Sequence, residues 1–228
     1  MSRRSRPKPP RTQSGCSAWS KCMRIGVLLF DGAEELDVFG PYEVLSAARR
    51  LGAGFEVQLG TAAPRERVTL IFGTRLESPA PIEPRAGDWV IVPGGGWLSN
   101  GGSGVRAEFQ KGELPRQLAE WRRRGVGMAS VCTGAMLLAA AGISLDRVAT
   151  THHGAREDLR ATGTLVVEAR VVDDGDLVTA GGVSSGIDLG LWLVERLAGP
   201  ELARRVREYL EYPFPAEVHF GPQAGRSS

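Results

Sequence analysis

Short apolar runs alternate with segments of helical periodicity along most of this chain. Residues 24–30 (RIGVLLF) form a continuous apolar run, which is typical of a strand buried on both faces of a parallel sheet. Asp31-Gly32 favours a turn after it, and apolar residues then recur at helical spacing over residues 36–51 until Gly52 ends the helix. Further strands are predicted at 55–59, 88–92, 126–131, 148–151, 165–172 and 177–179, with a hairpin or irregular pair at 68–76. Further helices are predicted at 105–124, 135–141, 154–162, 186–197 and 201–210.

This alternation predicts an α/β fold: a three-layer sandwich with a mostly parallel central sheet and helices on both faces. Ligands of such folds bind beyond the carboxyl ends of the strands. Three chemically distinctive features follow predicted strands, namely residues 31–37 (DGAEELD), residues 93–96 (PGGG) and Cys132. We therefore expect all three to meet at one edge of the sheet.

The composition separates one folded domain from two terminal tails. Residues 23–212 carry the alternating pattern, and 228 residues suit a single hydrophobic core. Residues 1–22 are rich in Arg, Pro and Ser without apolar periodicity, which predicts a disordered basic tail. Residues 213–228 are predicted to form a Pro/Gly-rich C-terminal tail.

The charge distribution and cysteine usage narrow the function classes. Residues 1–22 contain six of the 28 basic residues and no acidic residue. The rest of the chain therefore contains 22 basic residues and all 26 acidic ones. Because no basic cluster marks one face of the domain, we expect no nucleic-acid partner. No apolar run is long enough for a membrane span, and the early Arg3-Arg4 pair lacks the apolar region of an export signal. With only three cysteines, Cys16, Cys22 and Cys132, a reducing cytoplasm is the expected location.

The same inventory argues against a metal or an organic cofactor. The three histidines and three cysteines form no cluster with metal-ligand spacing, so no metal site is predicted. Neither a GxGxxG fingerprint nor a Walker loop is present, so we expect no nucleotide cofactor. The partner expected for this chain is a small-molecule substrate.

Cys132 is the main candidate for a reactive residue. It lies between an apolar strand and a short helix, which is the strand–turn–helix arrangement of a nucleophile elbow. The helix N-terminus is expected to lower the thiol pKa, and its N–H groups can hold an anion formed during attack. The alternative is a buried structural cysteine. The small residues Ser130, Thr133, Gly134 and Ala135 leave room around the sulfur and favour the functional interpretation.

Two further features have both a chemical and a purely structural interpretation. Asp37 lies in an apolar stretch, so a partly buried carboxyl could donate or accept a proton beside the thiol, whereas an acid in a first helical turn often only caps the helix. Gly94, Gly95 and Gly96 could direct backbone N–H groups at developing negative charge, or simply form a tight turn.

His152 is a third candidate, because a Cys–His pair is a common way to activate sulfur. A triad also needs an acid that orients the imidazole, and the chain has no His-x-Glu or His-x-Asp pair. The base of a class I glutamine amidotransferase is therefore missing. His152 is interpreted either as a substrate-binding residue near the site or as a structural histidine.

Five motifs in fixed order resemble the ThiJ/PfpI superfamily over residues 23–210. They are LLFDGAEELDVFGPYEVL, VPGGG, VCTGAMLLAAAG, ATTHH and TAGGVSSGIDLGLWLVERLAG. The resemblance implies a flavodoxin-like sandwich, usually dimeric. The isonitrile hydratase pattern has an acid in L-D-x-x-G-P and a cysteine in C-T-G-A, matched at residues 36–41 and 132–135. This implies Cys132 as nucleophile, Asp37 as catalytic acid, Thr133 as assisting hydroxyl, and Gly94 and Gly95 as the lining of an anion pocket.

The function implied by this resemblance is cofactor-independent hydration of a small isonitrile to an N-substituted formamide by a homodimer. PfpI-type peptidases carry His after the cysteine, whereas this chain has Thr133, which argues against peptidase activity. One alternative is a glyoxalase or deglycase acting on α-oxoaldehydes through the same cysteine, although those relatives carry Glu where Asp37 stands. The other is a non-enzymatic ligand-sensing or redox-sensing domain related to AraC-type regulators, in which the cysteine is oxidised.

Overall fold

A computed structural model describes residues 22–77, 79–99, 101–213 and 217–225. The predicted basic tail therefore lies outside the described residues, apart from Cys22. The strands are β1 (Met23–Leu28), β2 (Phe55–Gly60), β3 (Arg67–Thr69), β4 (Arg75–Glu77), β5 (Trp89–Val92), β6 (Gly127–Val131), β7 (Val148–Ala149), β8 (Leu165–Val166), β9 (Val171–Asp173), β10 (Leu177–Ala180) and β11 (Val218–Phe220). The helices are α1 (Glu35–Arg50), α2 (Val105–Lys111), α3 (Glu113–Arg123), α4 (Gly134–Ala140), α5 (Arg156–Arg160), α6 (Ser185–Ala198) and α7 (Pro200–Tyr209).

Seven strands form the central sheet in the order β11-β9-β10-β6-β5-β1-β2. All neighbouring pairs are parallel except β9 and β10. Strands β5, β6 and β10 are buried along their whole length, as expected for parallel strands covered on both faces. Helices α1, α6 and α7 pack together, and α2, α3 and α4 form a second group. The predicted flavodoxin-like α/β sandwich with a mostly parallel sheet is confirmed.

Two predicted elements are divided in the structure. The helix predicted over residues 105–124 is two helices, α2 and α3, because Gly112 adopts a left-handed conformation (φ 72°) that ends the first one. The strand predicted over residues 165–172 is also two: β8 pairs with β7 in a small separate sheet, whereas β9 joins the central sheet. The predicted hairpin is present, as the antiparallel pair β3–β4.

The C-terminal segment that we assigned to a tail contributes strand β11 to the edge of the central sheet. This strand pairs in parallel with β9, and the Phe220 ring contacts the edge of Trp192 with a centroid distance of 5.4 Å. Below it, buried Asp173 accepts hydrogen bonds from the Trp192 indole (2.8 Å) and the Arg196 guanidinium (2.6 Å). The described part of this segment therefore belongs to the folded domain. None of the described helices is long and apolar enough to cross a membrane.

Candidate active site

Cys132 stands at a sharp turn between β6 and α4. Its backbone adopts a left-handed conformation (φ 56°), which is unusual for a residue other than glycine. The turn is held by its N–H, which donates to the carbonyls of Ala180 (3.1 Å) and Gly181 (2.8 Å). Gly134 has no room for a side chain, since a Cβ there would lie 2.2 Å from the Val92 carbonyl oxygen. Strain in such a turn is typical of functional sites, and its shape is that of the predicted nucleophile elbow.

Helix α1 places Asp37 directly beside this turn. The side chain is fully buried, and its Oδ2 accepts a hydrogen bond from the Gly94 N–H at 2.9 Å. Oδ1 is buried without a partner among the described residues. Burial raises the pKa of Asp37 to about 7, helped by the negative charge of Glu34 and opposed by hydrogen bonds from Gly94 and the Cys132 thiol. Asp37 can thus carry or release a proton near neutral pH, and Oδ1 has the lone pairs to hold it.

The thiol of Cys132 is buried against the same carboxyl group. Burial and then the charge of Asp37 raise the pKa of Cys132 to about 12, although the N–H groups of Val183 and Thr133 reach the sulfur and favour the thiolate. The prediction of a lowered thiol pKa is therefore wrong. The two amides are in place, but desolvation and the adjacent carboxylate outweigh them. As a result the thiol and Asp37 titrate as one unit, which keeps a single proton between about pH 7 and about pH 12.

The glycine loop positions this pair rather than pointing free amides at a ligand. The Gly94 N–H is used by Asp37, and the Gly95 N–H donates to Oγ1 of Thr133 at 3.0 Å. Gly96 packs against the backbone of Ser103. We predicted that these three glycines line an anion pocket with their N–H groups. In the structure, the N–H groups of Gly94 and Gly95 are instead bound to side chains of the protein. They orient the side chains of Asp37 and Thr133.

Replacing Gly94 with alanine is expected to damage both stability and the site. The added Cβ would lie 2.6 Å from the Thr133 nitrogen and 2.7 Å from Oδ2 of Asp37. We expect a loss of about 1–3 kcal/mol in the free energy of unfolding, measured with urea, because overpacking forces neighbours apart. Gly102→Ala is the matched control, since a Cβ at Gly102 meets nothing within 4 Å. Equal stability of the two variants would contradict this account of the loop.

Val183 is a site residue that the sequence reasoning missed. It has a positive φ of 29°, a strained conformation for a β-branched residue, and its N–H reaches the Cys132 sulfur. The strain is held between β10 and α6, on a segment that packs against the elbow. The Gly181-Gly182 pair before it was a visible signal of unusual backbone. The sequence around Val183, however, does not show which backbone amide would face the sulfur.

His152 lies near the elbow but does not share a hydrogen bond with Cys132 among the described contacts. Its Nδ1 accepts from the Gly154 N–H at 3.1 Å, which leaves the proton on Nε2. The ring lies against Gly182, where a Cβ would be 2.8 Å from Cδ2. Burial, and then the charges of His153 and Arg156, lower the pKa of His152. A neutral imidazole that donates through Nε2 suits ligand binding better than activation of the thiol.

An open groove of about 640 Å³ runs beside this site, although neither Cys132 nor Asp37 is among the residues that line it. Its wall includes Leu36, which precedes Asp37, and Val183, whose amide faces the sulfur. Thr151 also lines it and donates to the Cys132 carbonyl at 2.8 Å. His152 and Arg156 form another part of the wall. The described residues contain no group of three or more His, Cys, Asp or Glu that could hold a metal ion. The groove therefore passes next to residues that contact or flank the elbow.

A mostly parallel sheet that carries a strained cysteine elbow, with a buried acid beside it, defines an α/β protein with a cysteine-centred site. Residues 23–196 match the sequence profile of the DJ-1/PfpI family, and the chain belongs to this family. It is 34% identical to the isonitrile hydratase of Pseudomonas putida over 192 residues, which cover 83% of this chain and 78% of that protein.

Two further relatives show the breadth of the family. The Parkinson disease protein 7 homolog of Danio rerio is 30% identical over 188 residues, covering 79% of this chain and 93% of that protein. The crystal structure of a ThiJ/PfpI family protein from Pseudomonas syringae superimposes with a TM-score of 0.73 at 26% identity, covering 91% of this chain and 83% of that one. This superposition agrees with the fold described above.

Proposed function

We propose that this protein is an enzyme that hydrates a small isonitrile to an N-substituted formamide, with Cys132 as the nucleophile. The observation that carries the proposal is the buried pair of Asp37 and Cys132, which holds one mobile proton at a nucleophile elbow. The similarity to the isonitrile hydratase of Pseudomonas putida supports it. The reaction needs no group beyond those of the chain and water.

In the first step the sulfur attacks the terminal carbon of the isonitrile, R–N≡C. The Cys132 proton passes to the Asp37 carboxylate as the S–C bond forms, while the amides of Val183 and Thr133 stabilise charge on the sulfur. Asp37 then delivers this proton to the attacked carbon. The product is a thioimidate, R–N=CH–S, on Cys132, and Asp37 is again a carboxylate.

In the second step water adds to the thioimidate carbon and the C–S bond breaks. One proton of the water goes to nitrogen and the other returns to the sulfur, which releases R–NH–CHO and restores the thiol. Thr133 is placed to assist this step. Its Oγ1 accepts the Gly95 N–H, so its own hydroxyl proton remains available for donation. Asp37 serves as the base that takes a proton from the attacking water.

The position of the acid favours an isonitrile over a carbonyl substrate. When a thiolate adds to a carbonyl, negative charge develops on oxygen, so the donors are needed there. When it adds to an isonitrile, the attacked carbon itself must receive a proton. The Asp37 carboxylate accepts from the Cys132 thiol, so the proton that it takes up is held next to the atom that the sulfur attacks.

The test is formation of N-cyclohexylformamide from cyclohexyl isocyanide by the purified protein, followed by chromatography, with methylglyoxal assayed in parallel. We expect turnover of the isonitrile. Turnover of methylglyoxal alone would favour an oxoaldehyde enzyme instead. Turnover of neither, together with a peroxide-dependent mass gain at Cys132, would favour a redox-sensing domain.

A further inference from the structure

Arg156 carries a buried hydrogen-bond donor that nothing described in the chain satisfies. It begins α5 and lines the groove that runs beside the Cys132 elbow. Its Nη1 pairs with Oε2 of Glu168 at 2.8 Å, whereas its Nε is buried without a partner among the described residues. An unpaired buried N–H of a charged group is costly, so it indicates an acceptor that binds there.

The guanidinium group determines which acceptor fits. Arginine presents its N–H groups as a planar fork that matches the two oxygens of a carboxylate. Glu168 is 70% exposed and occupies only the Nη1 side of this fork. The Nε side has no acceptor among the described residues, and Arg156 itself lies in the wall of the groove.

The other polar and charged side chains considered around the groove do not compete with Arg156 for an anion. Arg170 also lines the groove, but its Nε is bound to buried Asp188 at 2.9 Å. Glu168 and Glu217 are both exposed, so water screens their charges from a ligand deeper in the groove. His152 is neutral near pH 7, since its pKa is lowered, and it can donate through Nε2.

Arg156 lies on the same groove wall as residues that flank the thiol. Its charge acts on the His152 ring, which lies against Gly182. Gly182 precedes Val183, whose amide reaches the Cys132 sulfur. Since Arg156, His152 and Val183 line one groove, a substrate that occupies this groove and reaches the elbow would have its other end near the guanidinium.

We propose that Arg156 binds a carboxylate carried by the substrate, so that the preferred substrates are short isonitriles with an acidic group rather than purely apolar ones. This inference rests on the proposed function and specifies its substrate class. For the shortest such compound, isocyanoacetate, addition of water to the isonitrile carbon gives N-formylglycine.

The test compares isocyanoacetate with its neutral methyl ester, which has the same reactive carbon. We expect wild-type kcat/KM to be about tenfold higher for the acid, as a charge-assisted hydrogen bond implies. Arg156→Gln should bring the acid-to-ester ratio of kcat/KM close to one, mainly through a higher KM for the acid, whereas Arg156→Lys should keep part of the preference. Arg160→Gln is the matched control, because Arg160 lies on the same helix and pairs with Glu157. An acid-to-ester ratio unchanged in Arg156→Gln would overturn the proposal.

A binding experiment separates failure of this inference from failure of the hydratase assignment. Calorimetric titration with N-formylglycine needs no turnover, and we expect binding to wild type and to Arg160→Gln that is lost in Arg156→Gln. If no isonitrile is hydrated but this pattern holds, the carboxylate site stands and only the reaction is wrong. If wild type hydrates isonitriles but N-formylglycine binds wild type and Arg156→Gln equally, the carboxylate site is wrong and the reaction stands.

Discussion

Cys132→Ala is expected to reduce hydration of cyclohexyl isocyanide by a factor on the order of 10³ or more, because removal of a covalent nucleophile leaves only binding and proton transfer. Cys132 is buried, but the substitution removes only one sulfur atom, so the fold should be retained. The measurement is formamide formation under saturating substrate, together with the thermal midpoint of both proteins. We expect a large change in the first and a small change in the second.

The control for this variant is Cys22→Ala. The Cys22 thiol contacts the Gly54 carbonyl at 3.1 Å, away from the elbow, so its removal should leave turnover unchanged. Mass spectrometry of the wild type quenched during turnover should show the added mass of one substrate on Cys132, and none in Cys132→Ala. Turnover retained in Cys132→Ala would exclude the covalent route.

Asp37→Asn is expected to reduce kcat by about 10²–10⁴-fold, the range typical for loss of a general acid–base group. Asparagine has the same shape and can still accept the Gly94 N–H, but it cannot relay a proton from the sulfur to the substrate carbon. The variant should therefore fold and bind substrate while failing in the first step. Glu35→Gln is the control, because Glu35 accepts from the Phe72 amide in the hairpin rather than serving the site.

The wild-type pH profile gives a second measurement of the same pair. The relay needs the form with one proton on the pair, and the doubly protonated form has no carboxylate to accept the thiol proton. Because the pKa of Asp37 is about 7, kcat/KM should rise as pH increases through 7 and then stay level towards the pKa of Cys132, about 12. Whatever activity remains in Asp37→Asn should lack this rise near 7. The same rise in that variant would assign the ionisation to another group.

The raised pKa of Asp37 also predicts that the stability of the fold decreases over the pH range in which activity increases. Its folded pKa of about 7 exceeds the ordinary value of 3.8, so the folded state binds more protons between these values and stability falls as pH rises from about 4 to about 7. Because asparagine does not ionise, Asp37→Asn should not lose stability over this pH range. We expect the variant to be more stable than wild type at pH 8, and the difference to vanish below pH 4, as measured by urea unfolding. A destabilised variant at pH 8 would mean that the ionised carboxylate is stabilising in the fold.

The sequence alone was sufficient to predict which residues meet at one edge of the sheet. Buried parallel strands read as continuous apolar runs, and the carboxyl ends of such strands share one edge of the sheet. This is why Asp37, the glycine loop and Cys132, which are far apart in the chain, were expected together, and the structure places them in contact. The elbow was also visible, because a strand that leads into small residues and then a helix leaves few other conformations.

The tertiary structure decided the chemistry at that site and the edge of the sheet. The pKa of Cys132 depends on burial and on the distance to Asp37, and neither is encoded near the cysteine, so the local argument from a helix N-terminus gave the wrong direction. The use of the glycine amides and the strained Val183 follows from packing between distant segments. Strand β11 likewise forms only because β9 presents an open edge, since three residues have too little pattern to predict pairing.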